Sequence, residues 1–135
     1  MDLSEIDVVG KSNDGARMEL THPTTGEILK NNEGDAMYIR VAGLYSDHYQ
    51  KSSRTVMDRR LSKQKGRRKI SLSAEQIENE NTETVARCVV DWNIVAYGEA
   101  LPCNFDNAYK VLMDPTFRWL RDQVEEFMED DTNFT

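Results

Sequence analysis

The chain has 135 residues, 39% of them hydrophobic and 30% charged, with a formal net charge of −7. That length suits one domain, 1–135, able to bury a core without covalent staples. The two cysteines, Cys88 and Cys103, exclude a disulfide framework and point to a reducing cytosol. No apolar run approaches the ~20 residues that cross a membrane. The acidic start MDLSEIDVVG has no signal-peptide apolar region, so the expected location is the cytoplasm.

In chain order, Leu3, Ile6, Val8 and Val9 suggest a short edge strand. Asn13-Asp14-Gly15 is a turn, since these residues tolerate φ > 0. ARMELT, 16–21, alternates with Ala16, Met18 and Leu20 on one face, the pattern of a half-buried strand. His22 to Gly26 is a hairpin loop and Glu27 to Lys30 the return strand. After the turn Asn31 to Asp35, Met37 to Ala42 alternates again, with Met37, Ile39 and Val41 on one face and Tyr38 and Arg40 on the other. These segments predict an antiparallel sheet of about three strands within 1–43.

Ser46 or Asp47 can cap a helix running to about Gln64, with Tyr45, Tyr49, Val56, Met57 and Leu61 as an incomplete apolar face. Lys63 to Lys69, KQKGRRK, reads as a charged breaker that is mobile in isolation; 44–70 is thus a basic helix and arm. In 71–135, Ser73 and Gln76 have capping-box spacing, with Leu72 and Ile77 placed as a hydrophobic staple. Ile77, Thr84, Val85, Cys88, Val89 and Trp92 continue as an amphipathic helix, ended by a loop at Tyr97-Gly98-Glu99. Asn104 caps a helix from Phe105 to Met113. Asp114-Pro115 opens the last helix, with Phe117, Leu120, Val124, Phe127 and Met128 on one face. The fold class expected is α+β, a small N-terminal sheet followed by about four helices, and Trp92, Phe105, Leu112, Leu120 and Val124 are the residues expected to be buried.

Charge is unevenly distributed. Lys51 to Lys69 holds nine cations and one acid, Asp58, leaving +8 there and −15 over the rest of the chain. Arg54, Arg59, Arg60, Lys63, Arg67 and Arg68 are therefore candidate contacts for an acidic partner, a second copy or a phosphate backbone, the remaining reading being a plain solvated helix. No aromatic side chain interrupts this run and no DNA-binding motif frames it, so nucleic acid is disfavoured. Acids crowd the end of the last helix, against its dipole. That end is expected to fray unless something basic covers it, with the segment before Lys69 as one candidate, so Glu125 and Glu129 join the candidate contacts. Phe117, Phe127 and Trp119, which lies one position off the Leu120 stripe, are candidate partner-facing aromatics. Phe134, at a chain end, either folds back or docks on another subunit.

Chemistry is sparse. His22, His48, Cys88 and Cys103 lack zinc-pair spacing, the acids from Glu125 to Asp131 lack EF-hand spacing, and no nucleophile elbow, HExxH or P-loop occurs. No cofactor, metal site or catalytic residue is expected.

One ordered set of motifs carries a resemblance. It comprises MELTHPTTGEIL (18–29), YIRVAGLYSD (38–47) leading into a basic helix, an acidic helix ending VVDWN (89–93), GEALPCNFDNA (98–108), DPTFRWLRDQV (114–124) and a closing Asn133-Phe134. In this order the chain resembles the tail assembly chaperones of long-tailed, siphovirus-type bacteriophages and prophages. In the last helix, Phe117-Arg118-Trp119-Leu120-Arg121 replaces the family's commoner Pro-Trp-Ile arrangement. The resemblance implies a non-enzymatic assembly factor of the host cytoplasm, not expected in the mature virion. It would coat the tape-measure protein, keep it soluble, help recruit tail-tube subunits and self-associate, sometimes alongside a longer frameshifted form of itself. Two further readings are a small nucleic-acid-associated or regulatory protein acting through 51–69, and a structural tail-completion protein.

Overall fold

Leu3, Ile6, Val8 and Val9 do not form an edge strand. In the computed structural model, which describes residues 2–64 and 73–134, Asp2 caps a 3-10 turn, Leu3–Glu5, and Asp7 caps helix α1, Val8–Asp14. Each aspartate accepts from a first-turn N–H, Asp2 from Ser4 and Asp7 from Gly10, so local capping prevails over the β-preference of the valines.

The strands β1, Ala16–Glu19, and β2, Tyr38–Val41, pair antiparallel with Ala16 opposite Val41 and Met18 opposite Ile39. The alternation is as expected. Met18, Leu20, Ile39 and Val41 are buried, while Arg17, Tyr38 and Arg40 face outward or half outward. On the outer face the Arg17 guanidinium lies 3.9 Å from the Tyr38 ring centroid, and the Tyr38 hydroxyl donates to Asp91 at 2.9 Å. The return strand at Glu27 to Lys30 is reduced to two isolated bridges, Thr21 with Ile28 and Lys30 with Ala36. Only a few residues separate the His22 to Gly26 turn from the one at Asn31, and Leu29 alone of this segment packs against the core while Ile28 stays 48% exposed, which gives a longer ladder little to bury.

The third strand comes from elsewhere in the sequence. Helix α3, Ala74–Cys88, stops four residues short of Trp92, and β3, Val89–Trp92, adds to the free edge of β2 with Ile39 opposite Trp92. The sheet order is therefore β1-β2-β3, antiparallel throughout, and the sheet is not confined to the N-terminal region. Val89 takes an extended conformation and the Ala42 N–H donates to the Cys88 carbonyl at 2.8 Å. The helix thus passes into the strand without a loop. The Ser73–Gln76 capping box forms at its start; Leu72, the proposed staple partner of Ile77, lies outside the described residues, as does the expected mobile arm beyond Gln64.

Tyr97-Gly98-Glu99 is not a plain loop. Val95–Ala96 (β4) and Glu99–Ala100 (β5) form a two-stranded hairpin whose two-residue turn has φ of 55° at Tyr97 and 80° at Gly98, the doubly left-handed geometry of a tight hairpin. Behind it the Trp92 indole N–H donates to the Leu101 carbonyl at 2.9 Å, tying the hairpin to the sheet.

Asn104 caps α4, Phe105–Met113, and Asp114 caps a 3-10 turn, Pro115–Phe117, that feeds α5, Arg118–Glu129. Ala108, Val111 and Leu112 of α4 and Leu120, Val124 and Met128 of α5 pack with Ile39, Val41, Cys88 and Trp92 into one core cluster. Four of the five expected core residues are buried. Phe105 is not: it is 40% exposed at the first turn of α4, stacked on Tyr109 with the Arg87 guanidinium beyond it.

Beyond α5 the described chain folds back. After α5 a 3-10 turn, Asp131–Phe134, folds Phe134 back until it is 3% exposed, edge-on to Phe127 at 5.9 Å. Gly43 makes this possible, because a Cβ there would stand 3.1 Å from Phe134 Cγ and 2.8 Å from Ser12 Oγ. Among the described residues there are thus five α-helices, a three-stranded and a two-stranded antiparallel sheet. Four helices follow residue 43, as expected, and α1 precedes the sheet.

Candidate functional site

The basic helix α2, Asp47–Gln64, is held to the rest of the chain by few apolar contacts. Its start is fixed by the buried Ser46 hydroxyl, which accepts from Tyr49 N–H at 3.1 Å, and by Asn13, whose side-chain carbonyl accepts from Asp47 N–H at 2.7 Å. Beyond that, Tyr49 packs half-buried against the core, Ser52 and Val56 are its buried residues among those described, and the Ser52 hydroxyl donates to the Thr84 hydroxyl of α3 at 3.2 Å. Polar bonds and ion pairs do the rest. Arg59 makes paired hydrogen bonds to Glu83 at 3.2 Å each, and Arg60 Nε donates to Glu80 at 2.8 Å. Glu83 and Glu80 keep only 15% and 17% of their side-chain surface exposed, so these pairs are better shielded than typical surface bridges.

This attachment leaves one side of α2 uncovered. Met57 and Leu61, one helical turn apart, are 51% and 53% exposed, and Tyr45 just before the helix is 51% exposed. Beside Met57 opens a cleft of about 360 Å³ between α2, α3 and α5. Leu44, Tyr49, Val56, Val85 and Met128 form its apolar lining, with Arg60 and Glu80 on one side and Glu125 and Glu129 on the other. Burial pushes the Glu125 carboxyl above the usual carboxylate range, and Arg121, 3.9 Å away, offsets this only in part. Glu129 has no ion-pair partner among the described residues.

The structure therefore brings Arg60, Glu125 and Glu129 to one cleft, with Arg54 and Lys63 exposed on the same helix as Met57. Arg59 and Arg60 are occupied within the chain, while Arg67 and Arg68 lie outside the described residues. The acids that pair with α2 are on α3, not at the end of α5, and no described cation of α2 pairs with Glu125 or Glu129. The signal for this was in the sequence: a basic helix is followed by an acidic one, and two antiparallel neighbours pair most readily. Phe117 is half-buried, edge-on to Tyr97 at 5.8 Å. Trp119 and Phe127 are half-buried against the core, and Phe134 is covered within its own chain. None of these four aromatics stands out from the surface.

A second apolar surface was not anticipated. Leu3, Ile6 and Val9 are 82%, 55% and 49% exposed beside Asp2, Glu5 and Asp7. It escaped notice because an edge strand would have hidden part of it.

Other titratable groups are used structurally. His22 Nδ1 accepts from the N–H groups of Thr24 and Thr25 in its turn. Burial pushes the Cys88 thiol up to about 12, and burial with the nearby Asp91 raises Cys103. Neither thiol is thereby activated. Glu78 binds Arg121 at 2.7 Å and Arg118 at 3.0 Å, and these bonds hold its carboxyl below the usual range. Among the described residues no three His, Cys, Asp or Glu side chains are gathered as for a metal, and no helix is long and apolar enough to cross a membrane. No protein-family model, no curated protein and no solved structure matches the chain.

Proposed function

We propose that this protein is a non-enzymatic tail assembly chaperone of a long-tailed phage or prophage. It binds the tape-measure protein reversibly in the host cytoplasm, keeps it soluble and helps recruit tail-tube subunits. The phage-tail reading rests on the ordered motifs from MELTHPTTGEIL to Asn133-Phe134. The single observation that supports a binding role is the pair of separate exposed apolar surfaces, each set among charged side chains. One is Leu3, Ile6 and Val9 beside Asp2, Glu5 and Asp7; the other is Met57 and Leu61 beside Arg54 and Asp58. A factor that coats a rod needs one surface for the client and another for its neighbour. Solvated charge around each keeps the contact reversible and the free protein dissolved.

Co-expression with the tape-measure protein encoded beside it, followed by affinity capture, tests the reading. A complex and a more soluble client are expected, weakened by Leu3→Asp with Ile6→Asp. Absence of a complex together with an unchanged insoluble client refutes it. Titration against DNA at low salt separates this reading from a nucleic-acid role through 51–69, for which binding that weakens steeply with salt is the signature. Mass spectrometry of purified particles separates it from a tail-completion protein, which would remain in the virion.

A further inference from the structure

We infer that the free edge of β1, with the groove between it and α5, takes an extended basic segment of a partner protein as an added antiparallel strand. The sheet order β1-β2-β3 leaves one edge of β1 unpaired. The register fixes which groups stand there. Leu20 N–H donates to the Met37 carbonyl at 2.9 Å, and Met18 lies opposite Ile39 and Ala16 opposite Val41. Bonded and non-bonded pairs alternate along an antiparallel ladder, so Ala16, Met18 and Leu20 turn their N–H and C=O toward β2. Arg17, Glu19 and Thr21 therefore turn theirs away from it. At Thr21 this outward pair is already met. The Gln123 side chain of α5 accepts from Thr21 N–H at 3.4 Å and donates to the Thr21 carbonyl at 2.9 Å. One side-chain amide thus does at Thr21 what a neighbouring peptide group does in a ladder. Arg17 and Glu19, both exposed, have no such partner for their outward backbone groups among the described residues.

Beside this edge runs a groove of about 350 Å³, lined on one side by Glu19 and Thr21 and on the other by Gln123, Glu126, Phe127 and Asp130. Glu19, Glu126 and Asp130 make no ion pair among the described residues. In an antiparallel added strand, the residues opposite Arg17 and Glu19 exchange both backbone bonds with them and share their outer face. The alternate residues point to the other face, where Met18 and Leu20 join the core with Val124 and Met128 of α5. Lysine or arginine suits those positions, its stem over Phe127 and its head on Glu126 or Asp130. Backbone bonds hold the segment and these charges select it. A second copy of this chain fits worse. Paired edge to edge about a two-fold axis, the two grooves coincide, and Glu126 and Asp130 of one copy meet the same acids of the other. The edge is separate from the apolar surfaces at Leu3 and Met57, so its failure to bind and a failure of client capture are told apart.

The test is amide NMR of the full chain titrated with a blocked heptapeptide alternating threonine with lysine, at neutral pH and about 0.1 M salt, where exposed charges still act across ~10 Å. Saturable shifts and slowed hydrogen exchange at the Arg17 and Glu19 amides are expected by about 1 mM peptide. Methylating the threonine backbone nitrogens removes the donors that face β1, keeps every charge and should abolish binding. The counterpart alternating threonine with glutamate should not bind. Glu126→Lys should weaken the lysine peptide by about fivefold or more, while Glu129→Lys, the same change of charge outside the groove, should alter it by less than about twofold. Circular dichroism confirms that both variants are folded. Absent shifts at Arg17 and Glu19, equal binding of the methylated peptide, or equal effects of the two charge reversals overturns the inference. So does a wild-type dimer that protects the same two amides without peptide.

Discussion

The hydroxyl pair between Ser52 and Thr84 offers a sharp test of how α2 is attached. Ser52 is 1% exposed and Thr84 8% exposed, and the Ser52 hydroxyl donates to the Thr84 hydroxyl at 3.2 Å. That distance is long for O–H···O, so the bond itself contributes at the lower end of the ~0.5–1.5 kcal/mol range. Removing one partner costs more than the bond, because the other hydroxyl stays buried without a partner, at about 1–3 kcal/mol. Ser52→Ala or Thr84→Val alone should therefore destabilise by about 1–2 kcal/mol. Together they leave an apolar contact of nearly the same shape and should return to within about 0.5 kcal/mol of wild type. Urea unfolding reads this directly. With a slope of about 2 kcal/mol/M, mid-range for small proteins, each single change lowers the midpoint by roughly 0.5–1 M and the double change restores it, with the slope constant. Additive losses, a coupling near zero, would show that the two hydroxyls do not depend on each other and would refute the reasoning.

Three further outcomes are expected. Phe134→Ala should cost about 2–4 kcal/mol, near the range for truncating a buried phenylalanine, and lower the thermal midpoint; an unchanged midpoint would mean the folded-back terminus adds nothing. Gly98→Ala should cost about 1–2 kcal/mol through its positive φ alone, since nothing lies within 4 Å of the added Cβ; Gly98→Asn, which tolerates that region, should cost less, and equal losses would point to a different cause. Glu125→Gln concerns pH. The folded-state carboxyl titrates above its unfolded value, so its charge opposes folding as pH rises through the folded pKa. Glu125→Gln should then be slightly more stable than wild type at pH 7, by less than about 1 kcal/mol for so exposed a group. The difference should vanish below about pH 4, and a growing advantage on acidification would contradict the burial argument.

Where signals were local, the sequence was decisive. The Ser73–Gln76 capping box, the Asn104 cap, the Asp114-Pro115 start and the alternation of Met18, Leu20, Ile39 and Val41 all involve residues close enough to act within a turn or along one strand. Val124, Leu120 and Leu112 were recognisable as core because helical spacing puts them on one stripe. The start of α2 was legible too, from its capping residues.

Only the tertiary structure decided the rest. Val89 to Trp92 fits a continuing helix by spacing and a strand by composition, and the free edge of β2 settles it, because strand pairing satisfies backbone groups that lie far away in sequence. Phe134 could fold back or dock elsewhere until Gly43 supplied a surface without a side chain for its ring to rest on. The basic helix was visible in the composition, but not which acids would meet it. Arg59 and Arg60 find Glu83 and Glu80 on α3, since an antiparallel neighbour brings them within hydrogen-bonding reach, while Glu125 meets Arg121 at 3.9 Å and Glu129 has no ion pair among the described residues.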